Sequence, residues 1–104
     1  MKLDEMRWPE VEELLTKPNV VILPIGATEQ HGPHLPLNTD TASTVYFAEQ
    51  VAHRVTEEHS IRVVVAPAIP YGETRGTPPF GQLLPGTISI TGDTVIGLIE
   101  ESDY

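Results

Sequence analysis

One stretch constrains the fold and chemistry of this chain more than any other: residues 23–40, with the sequence LPIGATEQHGPHLPLNTD. Glycines and prolines recur within it, so neither a regular helix nor a regular strand can run through its whole length. Four of its side chains can bind a metal ion, namely Glu29, His31, His34 and Asp40. We therefore predict a metal-ligand loop at this position.

The segments on either side of the loop predict an α/β fold. Apolar runs at residues 20–24 and 61–66 are rich in β-branched residues, which indicates buried strands. Between them, a long helix is expected from Thr39 or Asp40, one of which caps it, to about His59. Its apolar stripe is formed by Val45, Ala48, Val51, Ala52 and Val55. Strand, helix and strand make a βαβ unit with parallel strands and a right-handed crossover.

The remaining segments predict shorter elements. Trp8, followed by proline and glutamate, is typical of a helix start, and that helix should end just before Pro18. Residues 67–85 are rich in proline and glycine and predict a long loop, and residues 87–90 predict a short strand. Thr91 then opens a last apolar helix. His53 and His59 are expected to face solvent from the long helix.

Composition excludes several classes of protein. With 104 residues the chain has room for one domain, residues 1–104. A net charge of −9 and six scattered basic residues argue against a nucleic-acid partner. The chain has no cysteine, which excludes disulfides and cysteine zinc sites. No apolar run is long enough to cross a membrane, so we expect a soluble cytoplasmic protein with no membrane partner.

The spacing within the loop is compatible with a shared metal. Glu29 and His31 are two residues apart, so in an extended segment both side chains point the same way. His34 and Asp40 can approach them if the loop folds back. Carboxylate and imidazole suit zinc, manganese, iron, cobalt or nickel better than calcium. The alternative, equally compatible with the spacing, is a polar loop in which Asp40 only caps a helix and the histidines are solvated.

The loop also resembles a known family signature. Residues 24–40, PIGATEQHGPHLPLNTD, closely resemble the first motif of the creatininase (creatinine amidohydrolase) family, and residues 70–72 and 84–89 resemble its second and third. The resemblance implies a three-layer α/β/α fold with a mainly parallel sheet. It further implies a dinuclear metal hydrolase for the carbon–nitrogen bond of small, often cyclic amides. Zinc and manganese are the usual metals, with iron in some relatives, and hexamers are the typical assembly.

The resemblance also assigns roles to residues. Glu29 would bind one metal, His31 the other, and Asp40 would bridge the two. Metals about 3.5–4 Å apart can hold a hydroxide that attacks an amide carbon. His34 would orient a ligand or remain a structural histidine, and Thr74 would take the place of a substrate-contacting hydroxyl. The family's usual histidine is missing near Thr74, so the sequence does not specify the substrate.

Length separates this chain from the family. The members of the family are more than twice as long as this chain. Their second halves supply further metal ligands that this sequence does not contain. We therefore expect an N-terminal half of a creatininase-like amidohydrolase domain, as a fragment or a truncated protein. Alternatives are a non-catalytic binding or assembly module that keeps the family's oligomer surfaces, and a loop that binds a single structural ion.

Overall fold

The computed structural model describes residues 1–75 and 84–103. In chain order, a short 3-10 turn at Leu3–Glu5 precedes the regular elements, which are α1 (Trp8–Leu14), β1 (Asn19–Ile22), α2 (Thr39–Glu58), β2 (Arg62–Val65) and α3 (Gly92–Glu101). The chain divides into two compact units. Unit 1 contains Met1–Pro24 and Ser43–Ala68, and unit 2 contains Ile25–Ala42 and Ile69–Tyr104. The single domain expected from the length stays a prediction.

Unit 1 contains a parallel two-stranded sheet. Its register pairs Asn19 with Arg62 and Ile22 with Val65. The Ala66 amide donates to the Ile22 carbonyl with an N to O distance of 2.8 Å, which extends the pairing by one residue. The parallel strand, helix, strand unit expected from the sequence is therefore present.

Small and β-branched side chains make the core of unit 1. Ala48 and Ala52 of α2 are buried in one cluster with Val63 and Val65 of β2. The two alanines are four residues apart, so they lie on one face of the helix, and their size allows a close approach. Val51 was expected in this stripe but is 50% exposed. It lies about 100° around the helix from Ala52, outside the narrow face that the core covers.

Local hydrogen bonds define the ends of the two shorter helices. The Arg7 amide donates to Glu10 Oε2 at 2.6 Å, which ties the residue before α1 to the first turn of the helix. The Thr91 hydroxyl accepts a hydrogen bond from the Thr94 amide at 3.2 Å and caps α3. Both predicted helix starts are confirmed. Helix α1 ends at Leu14, which is earlier than the predicted end just before Pro18.

Unit 2 contains isolated bridges, and the strand predicted at residues 87–90 was wrong. Ile25 bridges to Ile69 and Gly72 bridges to Ser89. The hydrogen bonds of the expected strand go to two different segments, because the Ile88 amide donates to the Thr28 carbonyl and the Ile90 amide to that of Gly72. Neither pairing therefore continues far enough to form a regular strand.

Two further expectations concern the long loop and the membrane. The predicted loop at residues 67–85 includes residues 76–83, which lie outside the described part of the chain. Across residues 1–75 and 84–103, none of the helices combines the length and the apolar character needed to span a bilayer. The predicted cytoplasmic location stays a prediction.

Candidate metal centre

Unit 2 brings together three of the four predicted ligands. Glu29 and His31 lie on an irregular extended segment, and Asp40 lies in the first turn of α2. One ligand atom from each residue lies within 4.8 Å of the others. All three residues are partly exposed, so the cluster is open to an ion from solvent. The loop therefore folds back as the glycines and prolines of the sequence suggested.

His31 is held at both ring nitrogens. Nδ1 lies 2.9 Å from the Glu29 carbonyl oxygen, and Nε2 lies 3.0 Å from Asp40 Oδ1. With a hydrogen on Nδ1, the ring donates to the carbonyl. A hydrogen on Nε2 as well lets the ring donate to Asp40, and loss of that hydrogen leaves the Nε2 lone pair for a metal ion. The hydrogen bond to the Glu29 carbonyl, together with the nearby Asp40 charge, raises the pKa of His31 although partial burial opposes the shift.

The start of α2 is fixed closely against the loop. The Thr41 hydroxyl donates to the Ala27 carbonyl at 3.1 Å. A Cβ placed on Gly26 would lie 2.5 Å from Thr41 Cα, so only glycine permits this approach. Thr39, one of the two predicted caps, is instead the first helical residue, and its hydroxyl donates to the Pro36 carbonyl. Asp40 also lies inside the helix, where a carboxylate is favoured by the helix dipole.

Hydrogen bonds of the backbone and of threonine hydroxyls close the ligand loop on itself and onto neighbouring segments. The Glu29 amide donates to the Leu37 carbonyl at 3.0 Å, across the turn that contains His34. The Thr28 hydroxyl donates to the Pro70 carbonyl at 2.8 Å, and the Gln30 amide donates to the Thr87 hydroxyl at 3.0 Å. The backbone that carries the two loop ligands is thus anchored over successive residues.

The other two predicted site residues have different surroundings. His34 is exposed, and it is not part of the metal-capable cluster found within residues 1–75 and 84–103. Its ring lies beside Gly32, whose φ of +84° turns the chain there. Thr74 is partly buried; its amide donates to Ser89 Oγ and its hydroxyl to the Ile88 carbonyl at 3.1 Å. The hydroxyl hydrogen is therefore engaged, which leaves its oxygen as an acceptor. The roles assigned to both residues stay predictions.

Sequence reasoning missed the residues that support the cluster. Gly26 and Thr41 set the separation of loop and helix, and Thr87 holds the backbone between Glu29 and His31. The available signal for Gly26 was an isolated glycine directly after an apolar run, which is typical of a close backbone approach. Nothing in the spacing of the threonines distinguishes these two from others in the chain.

The donor set fits a transition-metal ion. Two carboxylates and an imidazole are suitable ligands for zinc and manganese. The side chains of His31 and Asp40 are 25% and 43% exposed, so neither is sealed from an incoming ion. The opposite formal charge of a divalent cation would also relieve the proximity of the two carboxylates.

Comparison with protein families decides the relationship suggested by the motifs. The family model for creatininase, described as creatinine amidohydrolase, matches residues 4–102. This chain belongs to the creatininase family. The match extends over both compact units and includes all the residues of the candidate metal centre.

Two relatives illustrate the range within the family. The chain is 41% identical over 90 residues to a mycofactocin precursor peptide peptidase of Mycobacterium tuberculosis, with 83% of this chain and 34% of the relative covered. It is 32% identical over 99 residues to a creatinine amidohydrolase of Pseudomonas putida, with 93% of this chain and 36% of the relative covered. The chain therefore spans about a third of the length of these creatininase-family relatives.

Solved creatininases share the fold. A mutant creatininase of Zn-Zn type matches with a TM-score of 0.82 and 30% identity, over 96% of this chain and 37% of that one. A manganese creatininase matches with a TM-score of 0.73 and 32% identity over the same shares. The predicted creatininase-like α/β fold is thereby confirmed.

Proposed function

We propose that the protein is a metal-dependent amidohydrolase that cleaves the carbon–nitrogen bond of a small amide. The observation that carries this proposal is the cluster of Glu29, His31 and Asp40, whose ligand atoms lie within 4.8 Å of one another. Membership of the creatininase family supports hydrolysis as the reaction class. A creatinine amidohydrolase and a precursor-peptide peptidase among the relatives act on an amide bond, whereas a third relative, of Thermotoga maritima, is named a 3-dehydro-scyllo-inosose hydrolase. Hydrolysis is therefore the common element, and the donor set together with the two amide-cleaving relatives leads us to propose an amide substrate.

We assign the metals by the family motif. Glu29 would bind one ion and His31 the other through Nε2, and Asp40 would serve both because a carboxylate has two oxygens. We expect zinc or manganese, because the donor set suits both ions and because creatininases of Zn-Zn type and with manganese share the fold. When bound, such ions lower the pKa of water and polarise a carbonyl. Two tightly bound ions would need more ligands than these three side chains supply.

Two further residues act on the substrate side in this proposal. Thr74 has its hydroxyl hydrogen committed to the Ile88 carbonyl, so its oxygen can accept a hydrogen bond from a substrate N–H. His34 is exposed on the turn beside the cluster, where it orients a ligand or the substrate. Both side chains would bind or orient, and neither is required to hold a metal.

The decisive experiment compares metal content with turnover. Purified protein is stripped of metal, supplied with Zn²⁺ or Mn²⁺, and analysed by elemental mass spectrometry and by hydrolysis of creatinine and of a short peptide. About two ions per chain with turnover supports the enzyme, and a higher rate on the peptide would indicate a peptidase. One ion without turnover indicates a structural metal site. Folded protein that binds no metal contradicts the proposal.

A histidine pair provides the matched control. His31→Ala should lose most of the bound metal, because it removes one of the three ligand groups. His53→Ala removes an exposed histidine of α2, whose Nε2 lies 3.4 Å from Glu57 Oε1, and should retain the metal. Equal metal content in the two variants would contradict the assignment of His31.

A second candidate function, self-assembly, is favoured by exposed apolar side chains on α2. Tyr46, Phe47 and Val51 are 58%, 65% and 50% exposed. The rings of Tyr46 and Phe47 make an edge-to-face contact. Such a patch suits contact with a second copy of the chain. The family resemblance adds the expectation of a hexamer. Light scattering after size-exclusion chromatography tests this, since Phe47→Glu should reduce the assembled mass, whereas Phe47→Leu keeps the position apolar and should not.

A further inference from the structure

One backbone hydrogen bond joins the ligand segment to residues 87–88, in the manner of a parallel strand pair. The Ile88 amide donates to the Thr28 carbonyl at 2.9 Å. In a regular parallel pair, the amide two residues further along, that of Gln30, would donate back to the Ile88 carbonyl. Here the Gln30 amide donates instead to the Thr87 hydroxyl at 3.0 Å. The Ile88 carbonyl accepts from the hydroxyl of Thr74.

A threonine hydroxyl thus accepts the hydrogen bond that a backbone carbonyl would accept in a regular parallel pair. The donor is the amide of Gln30, the residue between Glu29 and His31. This amide belongs to the peptide group that joins Glu29 to Gln30, so the hydrogen bond fixes that plane and restricts the backbone from which the two ligand side chains project. The Glu29 carbonyl, which receives the His31 ring nitrogen at 2.9 Å, belongs to the same peptide group as the Gln30 amide. The Thr87 hydroxyl and the His31 ring therefore act on opposite ends of one peptide.

Thr87 is itself well constrained. Its amide donates to the Leu84 carbonyl at 3.0 Å and closes a turn in which Gly86 has a φ of +91°. A Cβ on Gly86 would lie 2.5 Å from Leu37 Cδ1, so the turn packs tightly against the ligand loop. The β-branched threonine side chain also has few accessible χ1 rotamers. A hydrogen-bonded turn therefore presents to Gln30 a hydroxyl whose direction is restricted.

We propose that Thr87 is a positioning residue of the metal centre, whose hydroxyl holds the Glu29–His31 segment so that both ligands face Asp40. The inference rests on the proposed metal-binding function. It predicts that the Thr87 hydroxyl is required for metal affinity although Thr87 binds no metal.

The test compares three threonine variants. Thr87→Val removes the acceptor with little change of shape, and Thr87→Ser restores it. Thr91→Val removes the same kind of bond, a backbone amide donating to a threonine hydroxyl, but at the start of α3. Zn²⁺ dissociation constants are measured by competition with a chromophoric chelator. We expect about a 10- to 100-fold weaker affinity in Thr87→Val, recovery in Thr87→Ser, and the wild-type value in Thr91→Val.

Amide exchange in the metal-free protein tests the hydrogen bond itself. The Gln30 amide should exchange at least about tenfold faster in Thr87→Val than in wild type or Thr91→Val, because it has lost its acceptor. Unchanged Gln30 exchange, or wild-type Zn²⁺ affinity in Thr87→Val, overturns the inference while leaving the proposed function intact. A wild-type protein that binds no Zn²⁺ overturns the proposed function and this inference together.

Discussion

Replacing Gly26 by alanine should separate the ligand loop from the start of α2. A Cβ at this position would lie 2.5 Å from both Cα and Oγ1 of Thr41 and 2.8 Å from its amide nitrogen. Ordinary contacts begin at 3.4 Å, so the two backbones must move apart by about 0.9 Å. Rotation of a side chain cannot relieve the contact, because two of the three opposing atoms belong to the backbone.

The displacement should affect metal binding more than folding. Overpacking of this kind costs roughly 1–3 kcal/mol, and each kcal/mol lowers the melting temperature of a domain of this size by roughly 4–8 °C. Metal–ligand distances tolerate only about 0.2 Å. Asp40 precedes Thr41 directly, so its carboxylate moves with the helix start, away from Glu29 and His31. We expect the affinity for Zn²⁺ to fall at least about tenfold.

The assay is a pair of measurements on two glycine variants. Melting temperature is followed by circular dichroism, and Zn²⁺ affinity by chelator competition. Gly97→Ala is the control, because a Cβ there meets nothing within 4 Å and the residue lies inside α3. That change should stabilise the helix by about 0.5–1 kcal/mol and leave metal affinity unchanged. Gly26→Ala with wild-type stability and wild-type affinity would refute the close-approach reasoning.

Three further results are expected. Asp40→Ala should remove bound metal more completely than His34→Ala, by elemental analysis, and equal losses would place His34 among the ligands. In the metal-free protein, the pKa of His31 is raised from 6.5 by folding. The contribution of His31 to the free energy of unfolding should therefore be largest below about pH 6.5 and be lost as the pH rises through the raised pKa. Unfolding at several pH values in wild type and His31→Ala measures this, and parallel profiles would contradict it. Val64 is fully buried, so Val64→Ala should lower the free energy of unfolding, measured by chemical denaturation, by about 2 kcal/mol. Val51 is half-exposed, so Val51→Ala should lower it by less than about 0.5 kcal/mol.

Local sequence signals predicted the regular elements well. The parallel strand pair followed from two β-branched runs, and the start of α3 from Thr91. Errors occurred where tertiary contacts override local preference. Val51 fits a helical apolar stripe but lies outside the face that the core covers. Residues 87–90 have strand-like composition, yet their hydrogen bonds are divided between two partners.

The candidate site divides in the same way. Residue types and spacing within residues 23–40 predicted which side chains can bind a metal, because glycine and proline force a fold-back and carboxylate with imidazole defines the donor chemistry. The spacing could not rank His34 below His31, since both are histidines on the same loop. The folded loop separates them, with His31 Nε2 at 3.0 Å from Asp40 Oδ1 and His34 exposed.

The sequence by itself determined the long helix and the parallel strand pair, the types of candidate ligand, and the family. Only the tertiary structure decided which ligands meet and what holds them there. Gly26, Thr41 and Thr87 have no chemistry of their own that distinguishes them in the sequence. Their importance comes from contacts with distant residues, such as the Thr41 bond to Ala27 at a separation of 14 positions and the Thr87 bond to Gln30 at a separation of 57. Such contacts exist only after folding, when separate segments are brought within hydrogen-bond distance.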